Sequence, residues 1–292
     1  MKTLRRVGLA ILSILSVPLQ AQMQSDEWTL VWSDEFNEDG RLNPDSWKYE
    51  EGFVRNNEAQ WYQPDNAYCK DGCLVIEARK VKGKRQNPRY DASSGHWPMN
   101  VKSIDYTSAS VNTAGLHEFL YGRLEVRAKI PTGPGAWPAI WLLGRGMEWP
   151  SCGEIDVMEF YRKEGVPHIL ANACWGTDRR WSARWNSKAI PFAHFTAKDK
   201  RWDRRFHVWR MDWDEQAVRI YLDDELMNVI TQDEAVNGSL GEGIQPFKRP
   251  MYILLNLALG GDNGGQIQGG FPVKYLIDYV RVYQKKTAPD GL

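Results

Sequence analysis

Short apolar segments recur along the chain, and they follow the two-residue period of a strand rather than the period of a helix. In residues 122–130 apolar and charged side chains alternate strictly, with Leu124 and Val126 on one side and Glu125 and Arg127 on the other. One sheet face would then be apolar and the other charged. Further strands are predicted at Trp28–Trp32, Cys73–Ala78, Phe206–Trp213, Val218–Leu222, Met251–Leu257 and Tyr275–Tyr283.

Turn sequences separate these segments, and no segment of convincing length has helical periodicity. Residues 70–72, 131–135 and 223–224 are rich in Gly, Pro and Asp, while residues 43–48 fit at most one helical turn. Many short strands without a break in composition predict one all-β domain over residues 23–292, an antiparallel β-sandwich or jelly roll. If its polar sheet face curves, that face becomes a groove.

The N-terminus has the pattern of a signal peptide, which we assign to residues 1–22. A basic start at residues 1–6 precedes an apolar stretch at 7–17, and Ala21 offers a small residue for cleavage. The apolar stretch is too short to span a bilayer of about 30 Å. The sequence therefore predicts a secreted or periplasmic protein with no membrane span.

Composition narrows the range of partners. Lys plus Arg equals Asp plus Glu at 37 each, so net charge gives no reason to expect nucleic acid binding. The chain contains 14 Trp among 292 residues, and indole rings in exported proteins often stack on the apolar faces of sugars. We expect a monomer that binds a polysaccharide or oligosaccharide.

Four cysteines leave the redox state open. Cys69 and Cys73 bracket a turn and could face each other across a hairpin, which leaves Cys152 and Cys174 as a second candidate pair. Four cysteines allow three pairings, and reduced, buried thiols are an equal alternative. No Cys and His spacing fits a zinc site.

Three carboxylates lie close together in the run Gly153-Glu-Ile-Asp-Val-Met-Glu159. In a strand, Glu154 and Asp156 share one face, whereas Glu159 falls on the other. One extra residue near Val157 and Met158, a β-bulge, would return Glu159 to the face of the other two. Ile155 and one of the two bulge residues would then enter the core.

Three like charges at this spacing raise at least one pKa, so that one carboxyl group stays protonated near neutral pH. Glycoside hydrolysis with retention needs an ionised nucleophile and a protonated acid about 5 to 5.5 Å apart. An acidic patch on an edge strand or a calcium site would also supply carboxylates. Ligands that alternate along a stiff strand enclose an ion poorly, which argues against calcium at this run.

The run Glu154-Ile-Asp-Val-Met-Glu159 resembles the signature of glycoside hydrolase family 16, in the bulged form of its laminarinase-like members. Other segments fall in the order of that family across the chain after residue 22: Asn56-Asn-Glu-Ala-Gln-Trp-Tyr62, Tyr121-Gly-Arg-Leu-Glu-Val-Arg-Ala-Lys-Ile-Pro131, Gly135-Ala-Trp-Pro-Ala-Ile-Trp-Leu-Leu143, Phe206-His-Val-Trp209 and Tyr275-Leu-Ile-Asp-Tyr-Val-Arg-Val-Tyr-Gln284.

The resemblance implies a concanavalin A-like jelly roll with a concave cleft and no catalytic cofactor. It implies Glu154 as nucleophile, Asp156 as assisting residue and Glu159 as acid/base. The substrate-binding candidates that it suggests are Trp137, Trp141, Arg123, Asn56, Asn57 and Trp175. Glu35 and Asp278 match positions that hold a structural calcium ion in many relatives.

Two departures from the family pattern flank the expected cleft and leave the substrate open. Cys174 stands where laminarinase-like members usually carry a His, and residues 177–205 are long and rich in Trp and Arg. We expect an endo-acting hydrolase of β-1,3- or mixed-linkage β-glucan. The alternatives are a β-galactan hydrolase of agar, porphyran or host glycan type, a transglycosylase, and a non-catalytic glycan-binding module.

Basic residues are concentrated in residues 179–205, with Trp181, Trp185 and Trp202 between them. These basic side chains either lie in solvated loops or contact an anionic substituent of the substrate.

Overall fold

Two β-sheets packed face to face make up most of the protein. The computed structural model describes residues 27–286. The strands are β1 (Trp28–Asp34), β2 (Lys48–Tyr49), β3 (Gln60–Tyr62), β4 (Ala67–Lys70), β5 (Cys73–Lys80), β6 (Tyr106–Ser108), β7 (Ser110–Asn112), β8 (Glu118–Phe119), β9 (Gly122–Lys129), β10 (Ala136–Gly144), β11 (Glu154–Lys163), β12 (Val166–Gly176), β13 (Ala183–Pro191), β14 (His207–Trp213), β15 (Ala217–Leu222), β16 (Glu225–Thr231), β17 (Met251–Leu259) and β18 (Val273–Lys285).

These strands form two sheets. The first sheet, here called the back sheet, has ten strands in the order β16-β15-β14-β9-β18-β5-β6-β3, with β1 beside β18 and β4 beside β5. The second, the cleft sheet, has eight in the order β13-β12-β11-β10-β17-β7-β2, with β8 beside β17. Apart from the parallel pair β3 and β6, the strand pairs are antiparallel. The predicted all-β sandwich is confirmed.

The core lies between the sheets, where the strand alternation places it. In β9 the residues Leu124, Val126 and Ala128 are buried, and the charged residues between them are only partly so. From the opposite sheet, Ile140 and Leu255 enter the same cluster without exposed surface. Apolar burial of this kind is the main stabilising contribution to such a sandwich.

Helices are short and lie between strands. Three α-helical segments, α1 (Trp97–Asn100), α2 (Phe192–Lys198) and α3 (Gly261–Gly264), occur in residues 27–286. The helix α2 was missed from sequence because it has only seven residues, too few to establish a helical period. It follows β13 in the segment 177–205, hereafter the edge excursion.

Trp202 of the edge excursion is core rather than surface. It is buried, and its ring stacks on His207 with centroids 3.8 Å apart. The interpretation of Trp202 as one of three indoles among surface charges was therefore wrong. Trp181 and Trp185 do remain exposed.

Two predictions concern features beyond the fold itself. The signal peptide lies outside the described residues, and within residues 27–286 no helix is long and apolar enough to cross a membrane. All four cysteines are free, so neither candidate disulfide forms. In the hairpin of β4 and β5, Cys69 lies opposite Leu74 and Cys73 opposite Lys70, so the two thiols are out of register.

The inter-sheet core generates a stability prediction. Leu255→Ala should lower the free energy of unfolding by about 2–5 kcal/mol, because Leu255 has no exposed surface and its removal leaves a cavity. The matched control Leu226→Ala should change it by less than about 1 kcal/mol, since Leu226 is 51% exposed. Urea unfolding followed by Trp fluorescence measures both. Equal losses would contradict this placement of the core.

Candidate active site

A cleft of about 610 Å³ opens on the outer face of the cleft sheet. Its floor comes from β10, β11, β12, β13 and β17, and its ends from the loops around residues 55–58 and 149. The lining residues include Arg55, Asn56, Glu58, Trp137, Trp141, Trp149, Glu154, Asp156, Glu159, Tyr161, Asn172, Trp185, Ser187 and Asn256.

Strand register arranges these side chains in rows that cross the sheet. The first row runs from Leu143 through Glu154 and Cys174 to Trp185. The second runs from Trp141 through Asp156 and Asn172 to Ser187. Residues two apart on a strand share a face, so both rows face the cleft.

The predicted bulge is present in β11. Asp156 pairs with Trp141 and Met158 with Ile140, so Val157 is the extra residue. The ladder to β12 shifts over the same interval, between Asp156 and Glu159. The bulge returns Glu159 to the cleft face, as predicted. The expectation that only one bulge residue enters the core was too narrow, because Val157 and Met158 are both buried there.

Glu154 accepts hydrogen bonds from two neighbouring side chains. The indole Nε1 of Trp149 donates to its Oε2 at 2.8 Å, and the Asp156 carboxyl also bonds to it. Burial raises the pKa of Glu154, while the Trp149 hydrogen bond, the Arg55 charge and the Asp156 hydrogen bond oppose that rise. Because of these contacts, Glu154 is more readily ionised than Asp156 or Glu159.

Glu159 has a different set of contacts. It accepts hydrogen bonds from Trp137 Nε1 at 2.9 Å and from Asn172 Nδ2 at 2.9 Å. Burial and the negative charge of Glu154 outweigh these two donors and raise the pKa of Glu159 to about 7. A group with this pKa can give up a proton and take it back near neutral pH, as a general acid and base must.

Asp156 lies between the other two and is almost fully buried. Burial, and then the charges of Glu159 and Glu154, raise the pKa of Asp156 well above its usual value. The protonated form of Asp156 is therefore favoured, and in that form it can donate a hydrogen bond to Glu154. Asn172 Nδ2 also lies 3.3 Å from Asp156 Oδ2, so one amide contacts two of the three carboxyl groups.

A fourth carboxyl group, Glu58, lies in the same cleft. It is 2% exposed, and burial raises its pKa, although the Arg55 charge and hydrogen bonds from Gln60 and Tyr62 oppose the rise. Its charge contributes to the raised pKa of Glu159. Glu58 lies in the motif of residues 56–62, and no role was predicted for it.

Arg55 is the cation that lines this cleft. It bonds to Glu50, and its guanidinium lies over the Trp141 ring, 5.0 Å from the centroid. Its charge also lowers the pKa of Glu154. Arg55 and Asn172 were not predicted, since they come close to the acids only through the tertiary fold. Trp149 was not predicted either, although it bonds to Glu154 from five residues earlier in the chain.

Three of the six predicted substrate-binding residues line the cleft. Trp137 and Trp141 do so from β10, and Trp141 also donates from Nε1 to Asn256 at 2.8 Å. Asn56 lines the cleft, whereas Asn57 is exposed and donates to Asp262 at 2.9 Å. A substrate contact by Asn57 stays a prediction.

Arg123 and Trp175 do not lie in the cleft. Arg123 is on β9 of the back sheet, where it makes two hydrogen bonds to Asp212 at 2.6 and 2.9 Å. Trp175 follows Cys174 on β12 and so faces the core, 3% exposed and edge-to-face with Phe247. Both predictions were wrong, because a motif gives the strand but not which surface of the sandwich a side chain reaches.

Cys174 occupies the cleft-sheet row of Glu154 as a buried thiol. Burial, then the carboxylates of Glu154 and Asp156, raise the pKa of Cys174 well above its usual value. The thiol therefore stays neutral next to Glu154, where an imidazole would add a titratable donor.

Glu35 and Asp278, the predicted calcium ligands, are each paired with an arginine. Glu35 accepts two hydrogen bonds from Arg281 at 2.9 and 2.7 Å, and Asp278 bonds to Arg127. No group of three or more His, Cys, Asp or Glu side chains suited to a metal occurs within residues 27–286. Ca²⁺ needs about six to eight oxygen ligands, more than these two carboxylates supply, so calcium binding here stays a prediction.

The raised pKa of Glu159 generates a prediction about stability. Its folded pKa of about 7 exceeds the usual value, so its contribution to stability is present at low pH and lost as pH rises through 7. Relative to wild type, Glu159→Gln should gain on the order of 3 kcal/mol in unfolding free energy between about pH 4 and pH 8. The exposed control Glu51→Gln should gain none. Urea unfolding at both pH values measures this; a pH-independent difference for Glu159→Gln would contradict it.

Comparisons with known proteins agree with this fold and cleft. The model of "Glycosyl hydrolases family 16" matches residues 56–281. A β-glucanase of Rhodothermus marinus is 33% identical, and the match covers 97% of this chain and 96% of the relative. Four further curated relatives are longer proteins, of which the chain covers 34% to 57%.

Solved structures share this fold. The laminarinase catalytic domain of Thermotoga maritima MSB8 has a TM-score of 0.71 at 33% identity, and the match covers 89% of this chain and all (100%) of that one. A structure described with the words "Prominent members of the human gut microbiota express endo-acting O-glycanases to initiate mucin breakdown" has a TM-score of 0.76 at 37% identity, with 89% and 92% covered. The chain belongs to glycosyl hydrolase family 16.

Proposed function

We propose that this protein is a retaining endo-glycosidase that hydrolyses β-1,3- or mixed-linkage β-glucan. The observation that carries the proposal is the bulged strand β11, which presents Glu154, Asp156 and Glu159 together on the floor of an open cleft. An open cleft admits the interior of a long chain, as endo cleavage requires. We further propose that the chain is exported, on the strength of its N-terminal sequence.

The three carboxyl groups divide the chemistry of a double displacement. Glu154, ionised and held by Trp149, attacks the anomeric carbon. Glu159, protonated at and below its pKa of about 7, donates to the departing glycosidic oxygen. Glu159 then takes a proton from the water that releases the sugar from Glu154. The neutral Asp156 carboxyl holds Glu154 in place during both steps.

The proposed glucan substrate is supported by the relatives. A β-glucanase is similar along almost the whole length of both chains, and a laminarinase domain shares the fold at 33% identity. The two cleft indoles Trp137 and Trp141 suit a glucan, since equatorially substituted sugars present flat apolar faces for stacking.

A second candidate substrate is a β-galactan or a mucin-type host glycan. Two observations favour it: a structure from work on endo-acting mucin O-glycanases is 37% identical, and the edge excursion adds β13 to the cleft sheet. Cys174, where laminarinase-like members carry His, also lies beside Glu154. These differences change the shape and hydrogen bonding of the cleft but leave the three carboxyl groups in place.

The substrate and the mechanism are tested together. Purified protein should release oligosaccharides of mixed length from laminarin or mixed-linkage glucan, with retention at the anomeric carbon by proton NMR. Glu154→Gln and Glu159→Gln should lower kcat roughly 10²- to 10⁴-fold while folding normally. The exposed control Glu51→Gln should retain wild-type activity.

Three outcomes of this screen would contradict parts of the proposal. Cleavage only of agarose, porphyran or mucin glycans would replace the glucan by the second candidate. Inversion of the product anomer would remove Glu154 as nucleophile. Glycan binding that is unchanged by both substitutions, without any cleavage, would make the protein a binding module.

The contact between Asn172 and Glu159 generates a prediction about pH. Wild-type kcat/KM should fall above about pH 7 as Glu159 loses its proton. Asn172→Ala removes a donor that favours the ionised form, so the fall should move upward by about one pH unit. The kcat should drop roughly tenfold as Glu159 loses its orientation.

A matched control separates this effect from general destabilisation. Asn186→Ala removes an amide from the neighbouring strand β13. This amide donates to Glu234 rather than to Glu159 or Asp156. Its pH profile should coincide with that of wild type. An Asn172→Ala profile with lower amplitude but an unmoved midpoint would contradict a role of Asn172 at Glu159.

A further inference from the structure

The edge excursion carries the two exposed tryptophans of residues 27–286. Trp181 is 58% exposed and Trp185 is 45% exposed, whereas the other tryptophans in this part of the chain are buried or partly buried. Large indole rings normally contribute to stability by burial. Trp181 and Trp185 both remain in solvent, so burial on folding does not explain why this segment carries them.

Trp185 is placed in the cleft by the register of three strands. It pairs with Cys174 on β12, which in turn pairs with Glu154 on β11. Two strand spacings put the Trp185 backbone on the order of 10 Å from that of Glu154. The ring lines the cleft on the side of the acids opposite Trp141, because Trp141 is on β10.

Trp185 is exposed over nearly half of its surface. Neither an aromatic ring nor a cation packs on it within residues 27–286. Trp181 differs, since the Arg180 guanidinium lies 5.1 Å from its ring centroid and Arg180 is in turn paired with Glu148. Trp181 also does not line the cleft.

We propose that Trp185, with the adjacent Ser187, forms a distal sugar subsite of the cleft. The indole stacks on the apolar face of a pyranose that lies beyond the residue under attack, and the Ser187 hydroxyl is available to its polar edge. Ser187 occupies the cleft-face position next to Trp185, in the row of Asp156 and Asn172. This subsite rests on the proposed function, because it assumes that a glycan chain runs across the strands through the acids.

The subsite makes the enzyme sensitive to chain length on one side of the cleavage point. A chain that extends past the acids towards β13 gains the stacking contact, and a shorter one does not. The gain is in binding rather than in chemistry, since Trp185 is too distant to touch the reacting atoms. It therefore acts on KM and on the position of cleavage.

The test compares Trp185→Ala with Trp181→Ala as the matched exposed-indole control. With whichever glycan the wild type cleaves, Trp185→Ala should raise KM for long chains about 2- to 13-fold, with kcat little changed. For the shortest cleaved oligosaccharides its KM should match that of wild type. Trp181→Ala should behave as wild type on all lengths, and Trp185→Phe should restore most of the long-chain affinity.

A second measurement does not depend on turnover. In the Glu154→Gln background, calorimetry with a long product oligosaccharide should show binding weakened by the same factor on adding Trp185→Ala. Equal KM values for wild type and Trp185→Ala on all chain lengths would overturn the subsite, as would equal effects of Trp181→Ala and Trp185→Ala. Failure of the wild type to cleave or bind any β-linked glycan would instead overturn the proposed function on which the subsite rests.

Discussion

The structure depends on a single constraint, the placement of three carboxyl groups on one face of one strand. A regular strand cannot do this with the spacing of Glu154, Asp156 and Glu159, because alternation would send Glu159 into the core. The extra residue Val157 changes the phase of β11, and its burial with Met158 fixes the bulge from behind. Core packing on one face thus sets the positions of the acids on the other.

Burial alone would raise the pKa of all three groups, so their division of labour comes from the donors around them. Trp149 bonds to Glu154, Trp137 bonds to Glu159, and Asn172 contacts both Glu159 and Asp156. These donors come from the loop before β11 and from the strands on either side of it. The sandwich is needed to bring them together, which is why a large rigid fold supports a few titratable atoms.

The strands and the bulge could be predicted from sequence, since both depend on local alternation and spacing. The positions of Leu124, Val126 and Ala128 follow from the two-residue period, and Glu159 requires a phase change that only an extra residue supplies. Arg123 and Trp175 were misplaced for a different reason. Motif order does not say which sheet a strand joins or which way a residue next to a cleft residue points, and both depend on long-range pairing. Asn172 was missed likewise, because its pairing with Asp156 joins residues of two strands.

The bulged strand keeps a proton on Glu159 near neutral pH. NMR titration of the folded protein with ¹³C-labelled glutamate carboxyl groups measures this proton, with Glu159→Gln used to assign the resonance. The midpoint for Glu159 should lie at about 7, well above that of the exposed glutamates. A Glu159 resonance that titrates with the exposed glutamates, near about 4.3, would contradict it.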